Sequence, residues 1–375
     1  MWTKPSQSLN RFFLFLILAW LGAGDCSHAD WIRHTIDNTS HGADGIRIGD
    51  QNRDGLPDLV TGWEEGGEVR VYFNPGPANV KKNWPRQTVG KVRSPEDAVF
   101  ADLDRDGHWD VVSCCEGKTK SVYFHFAPSG PGRNWKTVVV PALEGKALWM
   151  FAMPMNVDGR FGDDLVIAAK GAEATIGWLE APENPRVVED WTWHPLHPVG
   201  WVMSIMKQDM NGDRLPDILF SDRKGARRGI HWLEHPGTTH ADRTWKRHTI
   251  GATDREVMFL ALGDINGDQL IDVAANIKGG DLVWCERLNP SGFAWKEHKI
   301  PQPKEIGTGK GVAIHDINSD GHPDLLFTCE NANGKHGVGW LDAGNRWEMT
   351  RISGDQEGVK FDLIQLLDLD ADGDL

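Results

Sequence analysis

The sequence predicts an all-β fold: a seven-bladed β-propeller of four-stranded blades, the last blade incomplete. Two repeated markers and one strand pattern predict it. The first marker is an acidic nonapeptide with oxygen-bearing side chains at positions 1, 3, 5 and 9. Its copies begin at residues 50, 102, 156, 209, 264, 316 and 368, so successive starts lie 52, 54, 53, 55, 52 and 52 residues apart. The second is a tryptophan at 31, 84, 135, 191, 245, 295 and 347, spaced by 53, 51, 56, 54, 50 and 52. Several of these open the pattern W-x-x-H-x-[IL], as Trp31, His34 and Ile36 do. Two unrelated markers sharing one period identify a tandem array of similar units.

Each unit reads as four short strands. In the second, an apolar run at 98–103 precedes the acidic loop, and 110–114, 121–126 and 135–140 follow, divided by Gly, Lys, Pro and Asn turns. The run before each loop is apolar almost throughout, as at 257–262 and 363–367, which suits an inner strand covered on both faces. Four strands at this period fit radial blades better than a solenoid. The two markers are offset, because strand 30–36 precedes any inner strand and the inner strand near 360–367 has no tryptophan strand after it. The N-terminal strand is therefore expected to close the last blade from outside, which hides two open sheet edges. The middle strands of that blade are missing, so the sequence reads as truncated after Leu375.

Residues 1–29 read as a signal peptide and 30–375 as one propeller domain. Lys4 and Arg11 give a positive start before a short apolar run at 12–21, and Ser27, His28 and Ala29 form a small-x-small cleavage site. The run is short for a spanning helix, and no later segment is apolar enough to cross a bilayer. The expected product is secreted or periplasmic, without a transmembrane segment. Cys114, Cys115, Cys285 and Cys329 are too few for a small disulfide scaffold and read as packed thiols. A formal charge of −14 excludes the basic footprint of a nucleic-acid binder.

Most of that charge sits in the nonapeptides. The candidate metal ligands are Asp50, Asn52, Asp54 and Asp58; Asp102, Asp104, Asp106 and Asp110; Asp209, Asn211, Asp213 and Asp217; Asp264, Asn266, Asp268 and Asp272; Asp316, Asn318, Asp320 and Asp324; and Asp368, Asp370 and Asp372. Hard oxygen donors on one tight turn suit calcium. Like charges a few ångströms apart repel by about 4 kcal/mol at 4 Å and an effective dielectric of 20, so a cation is expected among them. An EF-hand is excluded, since position 12 is Thr61 or Ser113 rather than Glu and the flanks are strands. The copies at 209 and 264 lack Gly at position 6 but carry it at position 4. The copy at Asn156 has Arg160 at position 5, and its guanidinium is expected to replace the ion.

With these loops, residues 30–375 resemble the FG-GAP/VCBS repeat family, which includes the calcium-bearing propellers of integrin α-subunits. The stretches 177–182, 193–197, 222–225 and 308–311 are similar to a bacterial secreted group of that family. The resemblance implies a propeller, calcium and an extracellular setting; fold alone does not give function.

If the acidic loops occupy one face of the disc, the loops entering the inner strands share the other. These carry unlike charges from several blades and two tryptophans. The expected ligand-binding residues are Trp149, Trp201, Arg255 and Lys310, the ligand a carbohydrate or a protein. For an enzyme such as a sugar lyase or dehydratase, Glu96, Asp97, Arg255 and Lys310 would be the catalytic candidates. A purely structural role in a surface assembly is the third reading. His34, His194, His248 and His298 share one repeat position, which argues for a structural role rather than zinc.

Overall fold

The structure, a computed structural model, describes residues 1–3, 31–128 and 134–373; the expected leader lies almost wholly outside them. Among the described residues the chain forms six four-stranded antiparallel sheets, each in sequential order. The first blade holds Ala43–Gly49, Asp58–Trp63, Glu68–Tyr72 and Arg86–Gly90. The second holds Pro95–Ala101, Asp110–Cys115, Ser121–Phe126 and Lys136–Val139. The third to sixth blades begin at Leu148, Val202, Val257 and Thr308 and end at Pro198, Gly251, Ile300 and Arg351. First strands of successive blades pack on one another, so they surround the axis and the tryptophan strands form the rim.

The apolar core lies between blades. Val112, Cys114 and Phe124 of the second blade share one cluster with Leu165, Ile167 and Ala169 of the third. All four described cysteines are buried and unpaired. The rim histidines have fixed partners: His194, His248 and His298 stack on Trp178, Trp232 and Trp284 of the third strands at 4.2–4.5 Å. Each also hydrogen-bonds Glu180, Glu234 or Glu286 at 2.6–2.8 Å.

Every inner strand breaks register with its neighbour near its start: at Asp44/Arg47, Pro95/Asp97, Trp149/Phe151, Val202/Ser204, Val257/Leu260 and Gly309/Val312. Such bulges re-aim side chains. Here they sit at the end of each strand opposite the acidic loop. Phe151 of the third blade and Phe259 of the fifth meet edge to face across the axis, 6.0 Å between centroids. At this level the axis is filled by aromatic side chains.

Between the sixth and first blades there is no seventh four-stranded sheet among the described residues. Residues 361–369 run through the gap, with Ile364 and Leu366 against Leu326 and Trp340, and Leu367 and Leu369 against Leu59 and Trp84. Lys360 bridges Glu330, but 361–368 forms no ladder. Trp31 packs on the sixth blade and Ile36 on the first, while only Ile32–Arg33 of the expected N-terminal strand is paired, with Trp2–Thr3. A 310 Å³ apolar cavity separates the two segments.

Candidate functional site

The nonapeptides form the turns between inner and second strands, all at one end of the blades. Position 1 organises each turn: Asp50 Oδ1 accepts from the Asp54 N–H at 3.1 Å and Oδ2 from the Gly55 N–H at 3.0 Å. Asp209, Asp264 and Asp316 repeat both bonds. Positions 4 and 6 are both left-handed, as at Arg53 and Gly55 (φ 60° and 83°) or Gly212 and Arg214 (φ 83° and 71°). Glycine at either one relieves one of the two strained positions, which explains why it moves between them in the sequence.

Position 9 does something else. Asp58, Asp110, Asp217, Asp272 and Asp324 are buried, and each spreads its two oxygens over main-chain N–H groups. Asp110 accepts from Leu103 at 3.2 Å and from Ala127 at 2.6 Å, tying the loop to the exit of the third strand. Asp217 and Asp324 make the same pair of bonds. The sequence grouped these residues with the metal ligands; like position 1, their carboxylates also hold the backbone, and they are the buried members of the set.

Positions 1, 3 and 5 carry the more exposed oxygens, and in the second copy the Arg186 guanidinium pairs with Asp104 and, at 3.5 Å, with Asp106. In the two all-aspartate copies, Asp102, Asp104 and Asp106, and Asp368, Asp370 and Asp372, carboxylate oxygens lie within 4.8 Å of one another. Asp102 Oδ1 is buried without a hydrogen-bond partner. This donor set fits calcium. Where position 3 is Asn, its amide donates to position 5, as Asn52 does to Asp54 at 2.9 Å. In the third copy Arg160 lies on Asp158 at 2.6 Å and Glu180 at 2.5 Å.

The opposite face gathers charge at the bulges. Asp44 and Glu64 of the first blade and Glu96 of the second bring carboxylate oxygens within 4.8 Å of one another. Glu96 is the extra residue of its bulge. Burial pushes Glu96 up to about 8, the neighbouring Glu116, Asp44 and Glu64 adding to it against the pull of Lys170. Burial and contact with Asp44 raise Glu64 to about 7. Asp44 moves the other way: against burial stand its hydrogen bonds with Asp362 and with Lys360, the latter at 2.6 Å. Beyond Glu116, which pairs with Lys170, lies Trp201. Its ring has Arg223, Lys170 and Lys224 at 4.4, 4.5 and 4.7 Å from its centroid.

The unit running from the first acidic loop through the second, residues 50–113, matches the model of the FG-GAP-like repeat. The chain carries an FG-GAP-like repeat. By sequence no curated protein matches it. Among solved structures it is similar to Sqt1 of Saccharomyces cerevisiae, 12% identical over 83% of this chain and 75% of that one, with a TM-score of 0.50. It is also similar to BBS1N, solved in complex with ARL6DN (11%, 80% and 80%, 0.49). A third is the V. cholerae biofilm matrix protein Bap1 (13%, 83% of this chain, 0.42), of which the chain spans 45%. The likeness to Sqt1 concerns the fold, an all-β propeller.

In this propeller with its FG-GAP-like repeat at 50–113, the expected ligand residues scatter. Glu96 and Trp201 lie on the face opposite the acidic loops. Trp149 does not: it is 1% exposed, gives its indole N–H to Leu143 O and packs edge-on against Trp193 at 5.3 Å. Asp97 points into the blades, 1% exposed and held by Arg47 at 3.1 Å. Arg255 turns outward to Glu297 on the rim strand. Lys310 is at a bulge but buried, paired with Asp362 at 2.5 Å. The sequence missed Asp44, Glu64 and Asp362. Only their recurrence at strand ends could have suggested Asp44 and Glu64, because a bulge shifts register without leaving a motif.

Proposed function

We propose that this chain is a calcium-stabilised binding module of the secreted or periplasmic space, with a carbohydrate or protein ligand on the face opposite the nonapeptide loops. The observation that carries it is the division between the two ends of the blades. One end has convergent hard oxygens on rigid turns; the other collects side chains of both signs from successive blades at bulges. Bound calcium would neutralise clustered carboxylates at positions 1, 3 and 5 and stiffen the turns. At the millimolar affinities common outside cells, each site adds at most about 1–2 kcal/mol. The expected result is that chelation lowers the melting temperature of the mature chain and calcium restores it better than magnesium. An unchanged curve in excess chelator, with no metal found by mass spectrometry, rejects calcium. N-terminal sequencing of exported protein beginning at Asp30 tests the leader. For the ligand face, Trp201→Ala is expected to weaken capture of a glycan-screen hit with little change in melting temperature. If every hit is captured unchanged, the face is not the binding surface.

The alternative enzyme, a sugar-active lyase or dehydratase, is favoured by one observation: Glu64 and Glu96 are held up beside an Asp44 held down, an arrangement that separates acid from base. Turnover of a bound oligosaccharide, abolished by Glu96→Gln, would put this reading first.

A further inference from the structure

A cleft of 590 Å³ opens on the ligand face between the third and fourth blades. Its floor is small: Gly171, Ala172, Pro198, Val199 and Gly200 come from the third blade and the loop after it. Its far wall is the turn 222–227, with the Lys224 and Arg227 side chains on the rim. Both cations are exposed, and neither is within 4 Å of a carboxylate among the described residues; Lys224 lies over the Trp201 ring and acts on Glu256 only at longer range, Glu256 itself being paired with Arg223. Lys170, Arg223, Lys278, Lys310 and Lys360 on the same face are by contrast each ion-paired, and the exposed Lys118, Lys120, Lys146 and Lys335 line no such cleft.

The acid nearest to hand cannot neutralise them. Asp222 is 2% exposed, and its carboxylate takes the N–H groups of Gly200, Trp201 and Lys224 at 2.9–3.2 Å. Those bonds make Asp222 the clamp that holds the two loops together. A Cβ at Gly200 would overlap the Lys224 carbonyl, so the loops touch main chain to main chain. Further bonds from Arg223 N–H to Trp201 O at 2.7 Å and Gly171 N–H to Gly200 O at 2.9 Å fix the rest. The cleft is preorganised before any ligand arrives. Arg247 and Arg227 lie close enough that each adds to the other's positive field, and His197 beside them is held neutral by burial and by both arginines. Cations left uncompensated at a rigid concavity, in a chain of formal charge −14, present a focused positive potential.

We propose that this cleft binds the acid group of an anionic sugar residue, a carboxylate or sulfate, with Lys224 and Arg227 as its charge partners. The proposal rests on reading this face as the ligand face. The small floor admits a pyranose ring. A peptide grips by main-chain pairing, and the edge at this cleft is already spent: Pro198 has no N–H, the Val199 N–H bonds Ala174 O, and the Gly200 and Trp201 N–H groups bond the Asp222 carboxylate.

The test is titration calorimetry on the full chain with four probes of equal length. They are a uronate oligosaccharide, a sulfated one, a neutral one and a polyglutamate peptide. At least one acidic sugar should bind tenfold or more tightly than the neutral one. Arg227→Ala and Lys224→Ala should each weaken it about tenfold, Arg227→Lys should recover most of that, and melting temperatures should stay unchanged. Which acidic sugar binds identifies the acid group. Equal binding of the neutral sugar that still needs Trp201 overturns the charge reading and leaves the binding face standing. Polyglutamate binding as tightly as the acidic sugars overturns the sugar class. Failure of all four probes at millimolar concentration overturns the proposal, while the chelation experiment still decides calcium by itself.

Discussion

In the acidic loop of the second blade, Asp106 is exposed and Asp110 is buried, although both are carboxylates of one nonapeptide. Sequence spacing could not separate them, because a carboxylate that binds an ion and one that binds backbone amides are the same residue type. Burial and bonding separate them. Asp106 Oδ1 accepts from the His108 N–H at 2.8 Å, a bond that an Asn oxygen can make equally well. Asp106→Asn should therefore lose about 1–2 kcal/mol more in calcium than in chelator, where only its exposed contact with Arg186 at 3.5 Å is weakened. Asp110→Ala should orphan two buried amides and lose about 2–4 kcal/mol whether or not calcium is there. Denaturant midpoints of both variants in chelator and in millimolar calcium check this. Equal losses in both buffers for both variants would refute the ion-binding role of position 5. The two tryptophans make a similar lesson: Trp149 and Trp201 both stand beside an inner-strand start. Only the fold shows that the first is in the ladder, paired with Ala169, and the second lies outside it, bridging Lys170.

At the scale of the element, the strands were legible wherever apolar runs and turn residues agreed. The expected 121–126 is the observed Ser121–Phe126, and 257–262 lies within Val257–Gly263. What one strand cannot reveal is its partner. The repeated rim histidines were visible, but the Trp and Glu that fix them belong to the neighbouring strand and appear only once register is known. His125, on the third strand of the second blade, is another such case. Its ring lies between Ser113 Oγ and Thr137 Oγ1, both at 2.9 Å, and against Gly90 of the first blade, where an added Cβ would overlap it. Burial pulls its pKa from 6.5 down to about 3. Between those values the unfolded chain takes up a proton that the folded one refuses, so stability is full above pH 6.5 and falls as the pH drops. Each pH unit in that window removes about 1.4 kcal/mol. His125→Gln, which cannot charge, should be less stable than the parent at pH 8 and lose that deficit by pH 5. Midpoints measured at both pH values decide it, and a deficit independent of pH would show that His125 does not titrate on unfolding.

For the whole molecule, the period of about 53 residues specified the ring, and the alternation of loop ends specified its two faces. Ring closure was the part least open to reading, because it joins residues more than 300 positions apart. The structure closes the gap by packing and ion pairs, as with Lys360 on Asp44 at 2.6 Å, rather than by a strand ladder. Inner strands elsewhere donate a run of main-chain bonds to a second strand; here only the Phe361 N–H does so, to Cys329 O at 2.9 Å, and residues 362–368 form no ladder. In the chain as it stands, residues 1–375, packing without a ladder leaves the amides of 362–368 unprotected and makes this seam the unit that opens first. Amide exchange across 362–368 should accordingly be orders of magnitude faster than in Thr308–His315, the inner strand of the sixth blade. Ile364→Asp, which puts a charge beside the apolar cavity, should speed exchange along the seam and in Trp31–Ile36 while shifting the global midpoint by less than about 1 kcal/mol, because a seam already able to open locally relieves the buried charge. Val112→Asp, in the core between the second and third blades, has no such relief and should cost about 4 kcal/mol or more. Exchange at 362–368 as slow as in the sixth blade, or an Ile364→Asp as damaging as Val112→Asp, would mean that the closing segment is a paired inner strand and the ring has no weak seam.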